Sequence, residues 1–583
     1  MKKATYRVGV VALLCLLFLS CSRNKKVEYI HIVHTTDVHG CLFPYDYVND
    51  VPAEGGYMRV SNYVKGLKKG TDQVVLLDAG DILQGQPTAY YYNFISPLSP
   101  HIFATILNQM GYDAITIGNH DIETGHSVYD RFVKQLKMPA LGGNVIDVEK
   151  DKPYFSPYTI LNKGGRKIAV IGTTMTGLVH HLPEKLWSGM RFENQIETVQ
   201  KYIPEILSQE PDLIIALIHS GIGSKAEDAQ PNAENIGYLL AREVPELDLV
   251  LMGHDHRQTL DSIVQQDGKV TYLLNPANDG RAVSHTMVYF EDQSDARPRL
   301  RIVPEIVSMD SIKPDPALVL GFESQETAVR SFVSETVGSL SAPIDARSAF
   351  FGPSTFTDLI HQLQFSVYPQ AEVSFTAPLD FNVELKQGEI AFRDLFKLYR
   401  YENTLYLMKL TGEEIRGALE ESYGRWIQTM AGPNDPLIQI DESRFGGQYL
   451  PTANPSYNFD SASGITYTVD VTKPKGERVV ITHVGSNPFD PNKTYLVAVN
   501  SYRGNGGGGL LTEGAGIPKE ELKSRQVDAT ERDLRFYLIE FLKKNNPYTP
   551  RVEAKWSFEP KEWTVPALQR DSLLLYSSFD RHE

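Results

Sequence analysis

Five apolar runs in this chain end in side chains able to bind a metal, and that repetition constrains the fold more than any other feature. Tyr29 to Thr35 passes into Asp37 and His39, and Gln73 to Leu77 passes into Asp78 and Asp81. Ala114 to Ile117 leads into Gly118-Asn119-His120-Asp121, Asp212 to Ile218 ends at His219, and Leu247 to Met252 leads into Gly253-His254-Asp255-His256. Helical patterns separate the runs, at His101 to Met110, Ile196 to Leu207 and Asn235 to Arg242, while Lys167 to Thr173 is a further apolar run with no titratable end. Strands alternating with helices mark an α/β domain, and such domains keep their chemistry in loops at the carboxyl ends of strands.

Singly, these endings carry little information. A histidine after a strand is more often a satisfied structural residue than a ligand, and an Asn-His pair can simply cap a helix. Five such endings are hard to credit to chance. The set Asp37, His39, Asp81, Asn119, His219, His254 and His256 mixes oxygen and imidazole donors. Such a mixture suits two borderline divalent ions such as Mn, Zn, Fe or Co better than an all-sulfur structural site.

The order and spacing of these motifs resemble the metallophosphoesterases of the 5′-nucleotidase family, across most of the chain. The resemblance implies an α/β protein: an N-terminal calcineurin-like metallophosphoesterase β-sandwich flanked by helices over 27–315, a linker helix over 316–340, a C-terminal α/β nucleotide-recognition domain over 341–560 and a tail over 561–583. It implies that Asp81 bridges both metals, that Asp37, His39 and His256 complete one site, and that Asn119, His219 and His254 complete the other. His120 becomes the acid that meets the leaving oxygen. In relatives a carboxylate three residues on orients this histidine; here the residue is Glu123, where 5′-nucleotidases resemble Asp and cyclic-nucleotide enzymes resemble Asn. Glu is one methylene longer than Asp, which leaves open whether the two side chains meet.

In the second half, Tyr401 and Tyr502 resemble the two rings between which this family sandwiches a nucleobase, and Asn403 matches a residue that bonds the base. Stacking of this kind tolerates any base, because every base presents a π-face. The chain has 30 tyrosines, so the assignment rests on position rather than on type. The glycine-rich stretch Asn500 to Gly509 is not followed by Lys-Ser/Thr or by a helical pattern, which argues against a phosphate cradle; its glycines let a ring approach closely.

Smaller features separate subgroups. Where 5′-nucleotidases carry a phosphate-holding arginine, this chain reads Phe375-Thr376-Ala377-Pro378-Leu379-Asp380. The stretches from Gly80 to Pro87, from Gly253 to His256 and from Pro455 to Val471 resemble the bacterial 2′,3′-cyclic-nucleotide 2′-phosphodiesterase/3′-nucleotidases. That subgroup is the favoured reading. A 5′-nucleotidase or nucleotide-sugar hydrolase is the alternative within the family, and a catalytically dead nucleotide-binding envelope lipoprotein is the alternative outside enzymes.

Composition bears on partners and location. With 42% apolar residues, 22% charged residues and a net charge of −15, the chain reads as a folded protein that does not bind a polynucleotide. A small anionic nucleotide is still admissible, since bound metal ions reverse the local sign of a site. Lys2, Lys3 and Arg7 precede an apolar run, Val8 to Leu19, too short to span a bilayer. Leu19-Ser20-Cys21 resembles a bacterial lipobox, so residues 1–21 read as a signal segment and the expectation is export to the cell envelope. The mature chain is then held by a lipid on Cys21, and it faces the periplasm because Ser22 to Lys26 lacks an acidic cluster. Beyond Cys15 and Cys21 only Cys41 remains, so no internal disulfide can form in the mature chain, which is expected to act as a monomer.

Overall fold

The computed structural model describes residues 26–97, 100–180, 182–226, 234–293, 296–379, 382–399, 401–444 and 451–577. The signal segment with Cys21, and Asp380 of the stretch from Phe375, lie outside the described residues.

The apolar runs form two six-stranded sheets packed face to face. In the first, Tyr29–Thr35, Val74–Asp78, Ala114–Thr116 and Ala140–Leu141 run parallel, and the long hairpin Ala282–Gln293 and Ala296–Ser308 continues the sheet antiparallel beyond Tyr29–Thr35. The second is built around parallel Arg166–Thr174, Leu213–His219, Leu249–Met252 and Val270–Pro276, with Tyr158–Lys163 and Gln258–Val264 as antiparallel edges. Ile30, Ile32, Val75, Leu77, Ile168, Val170, Ile215 and Leu217 meet between the sheets with no more than 1% exposure. Each such side chain contributes about 1.5–3 kcal/mol by leaving water. Strands buried on both faces need near-continuous apolar sequence, which explains why the runs were so conspicuous. Helices such as Tyr57–Lys68, Ile102–Met110 and Gln195–Ser208 cover the outer faces.

The segment 316–340 is not one helix. Pro316–Gly321 and Glu323–Val333 are separate helices that meet at Phe322, and Thr336–Leu340 is a strand paired with Gly388–Ala391. The break falls where Thr336-Val337-Gly338 replaces good helix formers with β-branched residues and glycine. Phe332 of the second helix packs against Phe392, at 4.1 Å between ring centroids, and against Tyr90 of the first half.

The second half contains a sheet ordered Ser461–Ser463, Val373–Thr376, Thr494–Asn500, Leu405–Thr411, Gln526–Ala529, covered by helices Thr355–Val367 and Gly412–Trp426. Trp426 stacks between Tyr423 and Phe459 at the centre of its core. The segment 561–583, read as a tail, carries the helix Lys561–Ser577, whose Ala567, Asp571 and Leu575 are buried. The Asp571 carboxylate accepts hydrogen bonds from the backbone N–H groups of Leu437 and Ile438, so this helix is part of the domain. Its apolar positions do not fall on one helical stripe and are interrupted by Pro566, which hid the pattern.

Candidate active site

The strand ends of both sheets meet along one edge of the sandwich. There the ligating atoms of Asp37, His39 and His256 form one compact group and those of Asp81, His219 and His254 a second, each within 4.8 Å. His256 Nε2 lies 3.3 Å from Asp37 Oδ1 and 2.9 Å from His39 Nε2. In the second group His219 Nε2 is 3.1 Å from Asp81 Oδ2, and Asn119 Oδ1 stands 2.9 Å from His219 Nε2 and 3.0 Å from His254 Nδ1. All seven residues singled out in the sequence therefore share one site.

The donor chemistry fits two cations. His39 Nδ1 faces the Gln84 carbonyl at 3.1 Å and His219 Nδ1 faces the Ala79 carbonyl at 2.8 Å; each carbonyl takes a ring N–H and leaves Nε2 as a lone pair. His254 is turned the other way, with Nε2 against Glu234 Oε1 at 2.7 Å, so that Nδ1 carries its lone pair. The inward atoms are then carboxylate oxygens, an amide oxygen and basic nitrogens. With His219 Nε2 carrying a lone pair, the buried Asp81 Oδ2 receives no hydrogen bond from a donor among the described residues. A buried cluster of acceptors is costly unless positive charge sits among them.

The backbone is bent to make this cluster. Asp37, His39, Asp81, His254 and His256 all have positive φ, between 49° and 74°. A non-glycine residue in that region costs about 1–3 kcal/mol, and such residues gather at functional sites. Gly118 permits the closest approach, because a Cβ there would lie 2.1 Å from Asp81 Oδ1.

His120 is the second residue of the short helix Asn119–Glu123, and Glu123 Oε2 lies 2.5 Å from His120 Nδ1. The longer side chain thus reaches its partner, one turn away on the same helix face. Burial alone would lower the His120 pKa, but the Asp81 and Glu123 carboxylates outweigh it and raise it to about 10 in the metal-free protein. Asp121, fully buried, points away from both groups and accepts the backbone N–H groups of Gly118, Asp81, Ile82 and Leu83 at 2.8–3.0 Å. Asp78 is likewise turned inward, bonded to Thr35 and Tyr57.

The second half carries the other residues singled out. Tyr401 and Tyr502 each stand edge-to-face to a third ring, Tyr457. The Asn403 side chain donates to the buried Tyr399 hydroxyl at 3.4 Å. The intervening Glu402 pairs with the fully buried Arg535 at 2.9 Å. Burial pushes the Glu402 carboxyl up to about 7 against the pull of Arg535, and its charge is felt at both His120 and Glu123. The glycine-rich stretch does contain a short helix, Ser501–Gly504, capped by Asn500. Its glycines serve packing: a Cβ on Gly507 would lie 2.4 Å from the Tyr502 ring.

Glu234, Glu402, Tyr457 and Arg535 were not singled out from the sequence. Each acts through a partner distant in the chain, and none follows an apolar run.

Comparison with known proteins agrees with this architecture. Residues 30–258 match the calcineurin-like phosphoesterase family model, and residues 334–513 match that of the 5′-nucleotidase C-terminal domain. The chain is 26% identical to the 2′,3′-cyclic-nucleotide 2′-phosphodiesterase/3′-nucleotidase of Haemophilus influenzae, over 92% of this chain and 89% of that protein. It is 22% identical to the 5′-nucleotidase of Bos taurus, over 90% of each. A Staphylococcus aureus structure solved with alpha-ketoglutarate shares the fold, with a TM-score of 0.76 at 22% identity, covering 91% of this chain and 99% of that one.

Proposed function

This chain belongs to the metal-dependent phosphoester hydrolases of the 5′-nucleotidase family, and we propose that it opens 2′,3′-cyclic ribonucleotides to 3′-nucleotides and then removes the 3′-phosphate. The observation that carries the nucleotide reading is the grouping of Tyr401 and Tyr502 about Tyr457 in a chain whose other half carries two acceptor clusters. In this reading Tyr401 and Tyr502 hold the base and the two acceptor clusters receive the phosphate.

Two divalent ions, drawn from Mn, Zn, Fe or Co, fit those clusters and when bound offset phosphoryl charge and activate water for attack. The residues of the chain divide the remaining work. Asp37, His39 and His256 would hold one ion, Asn119, His219 and His254 would hold the other, and Asp81, grouped with the latter, would serve both. Glu123 takes the Nδ1 proton of His120 in a hydrogen bond, which turns the opposite ring nitrogen toward the leaving ribose oxygen. That oxygen is a poor leaving group unless it receives a proton, and His120 supplies it. Asn403 meets the base edge.

The preference for cyclic and 3′-substrates rests on the sequence stretches around Gly80, Gly253 and Pro455 and on the missing phosphate-clamping arginine. Its test is a panel of 2′,3′-cAMP, 3′-AMP and 5′-AMP on the mature protein loaded with Mn. We expect turnover of the first two to exceed that of 5′-AMP by about tenfold or more, the scale set by losing one charge-assisted contact. Faster turnover of 5′-AMP reverses the assignment.

Export and anchoring by a lipid on Cys21 complete the reading; none of the helices among the described residues is long and apolar enough to cross a membrane. Growth with a labelled fatty acid should label the protein and leave Cys21→Ser unlabelled. Equal labelling of the two, or none of either, would refute the lipid anchor at Cys21.

A further inference from the structure

We propose that Tyr457 is a third wall of the base site, closing the end of the slot between Tyr401 and Tyr502. This rests on the reading of those two tyrosines as base-stacking rings and adds a residue to it. The Tyr457 ring lies 6.4 Å from Tyr401 at an interplanar angle of 78° and 6.3 Å from Tyr502 at 84°. It therefore stands nearly perpendicular to both, linking them edge-to-face, the geometry that aromatic quadrupoles favour. Tyr457 remains 39% exposed, so its ring has surface to offer a ligand.

Tyr457 belongs to a different segment from the other two, and the structure ties it firmly to one of them. Arg503, next to Tyr502 and only 3% exposed, donates to the Tyr457 carbonyl at 3.0 Å and to both oxygens of Asp460 at 2.7 and 3.0 Å. It also donates to Asn458 Oδ1 and to the Gly507 carbonyl. A guanidinium sharing its N–H groups among five acceptors from two loops holds those loops at a fixed spacing. The glycines are part of that fastening: at Gly508, with φ of 67°, a Cβ would lie 2.1 Å from Asn458 Oδ1 and 2.3 Å from Arg503 Nη1. Two stacking rings alone grip the faces of a base and leave its edge in water. A perpendicular ring at the end of the slot covers that edge and fixes how deeply the base enters, which costs little because Arg503 has already set its position.

The test is adenosine binding, measured by calorimetry on the metal-loaded mature chain, for Tyr457→Ala, Tyr457→Phe, Tyr401→Ala and Tyr502→Ala, with thermal unfolding confirming that each is folded. Tyr457→Ala should raise Kd about fivefold to tenfold, in the range of an edge-to-face aromatic contact, and Tyr457→Phe should stay within about twofold of the parent because the ring, not the hydroxyl, makes the wall. If Tyr401→Ala and Tyr502→Ala weaken adenosine while Tyr457→Ala does not, the third wall is wrong and the base site stands. If none of the three alanine variants changes Kd, the base site itself is misplaced. Equal weakening by Tyr457→Phe and Tyr457→Ala would make the hydroxyl the contact and overturn the ring as wall. Should Tyr457→Ala unfold, Tyr457→Leu, which keeps apolar bulk but no π-face, takes its place with the same expected loss and the same overturning result.

Discussion

Replacing His120 by alanine is expected to lower kcat on 3′-AMP by about 10² to 10⁴, the usual worth of a positioned general acid, while two metal equivalents per chain are retained. The geometry separates the two outcomes. The His120 imidazole bonds Glu123 and belongs to neither acceptor cluster, whereas its backbone N–H donates to Asp81 Oδ1 at 2.8 Å. Alanine keeps that N–H, so the Asp81 carboxylate stays in place. The loss should also depend on the leaving group. A ribose oxygen needs a proton in order to depart, while p-nitrophenolate does not, so the deficit should shrink on an aryl phosphate. Metal analysis beside steady-state rates on both substrates checks this. Loss of metal would make His120 a ligand, and an equal deficit on both substrates would remove it from the proton-transfer step.

How far the site could be read in advance follows from what each residue depends on. Asp37, His39, Asp81, Asn119, His219, His254 and His256 were legible because each follows a strand buried on both faces, where continuous apolar sequence marks the end to within a few residues. The β-sandwich was legible for the same reason. Whether Glu123 meets His120 was not, since one methylene decides it and only the turn of the helix Asn119–Glu123 brings the groups to 2.5 Å. Glu234 and Glu402 sit in irregular segments and Tyr457 in the single 3-10 turn Ser456–Asn458; their neighbours come from far along the chain, and no periodicity announces such contacts. The helix Lys561–Ser577 escaped because its buried positions include Asp571 and Thr564 rather than an apolar stripe. The positive φ of five of these ligand residues was equally hidden, for nothing in Asp or His as a residue type demands that conformation.

Asp121 shows how a residue with no contact to substrate can govern the whole site, and Asp121→Asn is expected to destabilise the fold by about 3–5 kcal/mol and to strip the metals. Its Oδ1 accepts from the N–H groups of Ile82 and Leu83, and its Oδ2 from those of Asp81 and Gly118. Burial, then the nearby Asp81 charge, pushes this carboxyl up to about 6, so at neutral pH it is ionised and suited to receive four donors. Asparagine has nearly the same shape but only one acceptor oxygen. Whichever way the amide turns, its NH₂ faces two backbone N–H groups, leaving buried donors opposed to one another. Those donors belong to the loop that carries Asp81 and the loop that carries Asn119, which also meet where Gly118 passes Asp81. Forcing the loops apart separates Asp81 from His219 and Asn119, so metal content and activity should fall together, unlike the His120 variant, which should lose rate alone. Thermal unfolding with and without added Mn, and metal content after desalting, measure the two effects. A variant that unfolds like the parent and keeps two ions would show that the loops hold their shape without this carboxylate.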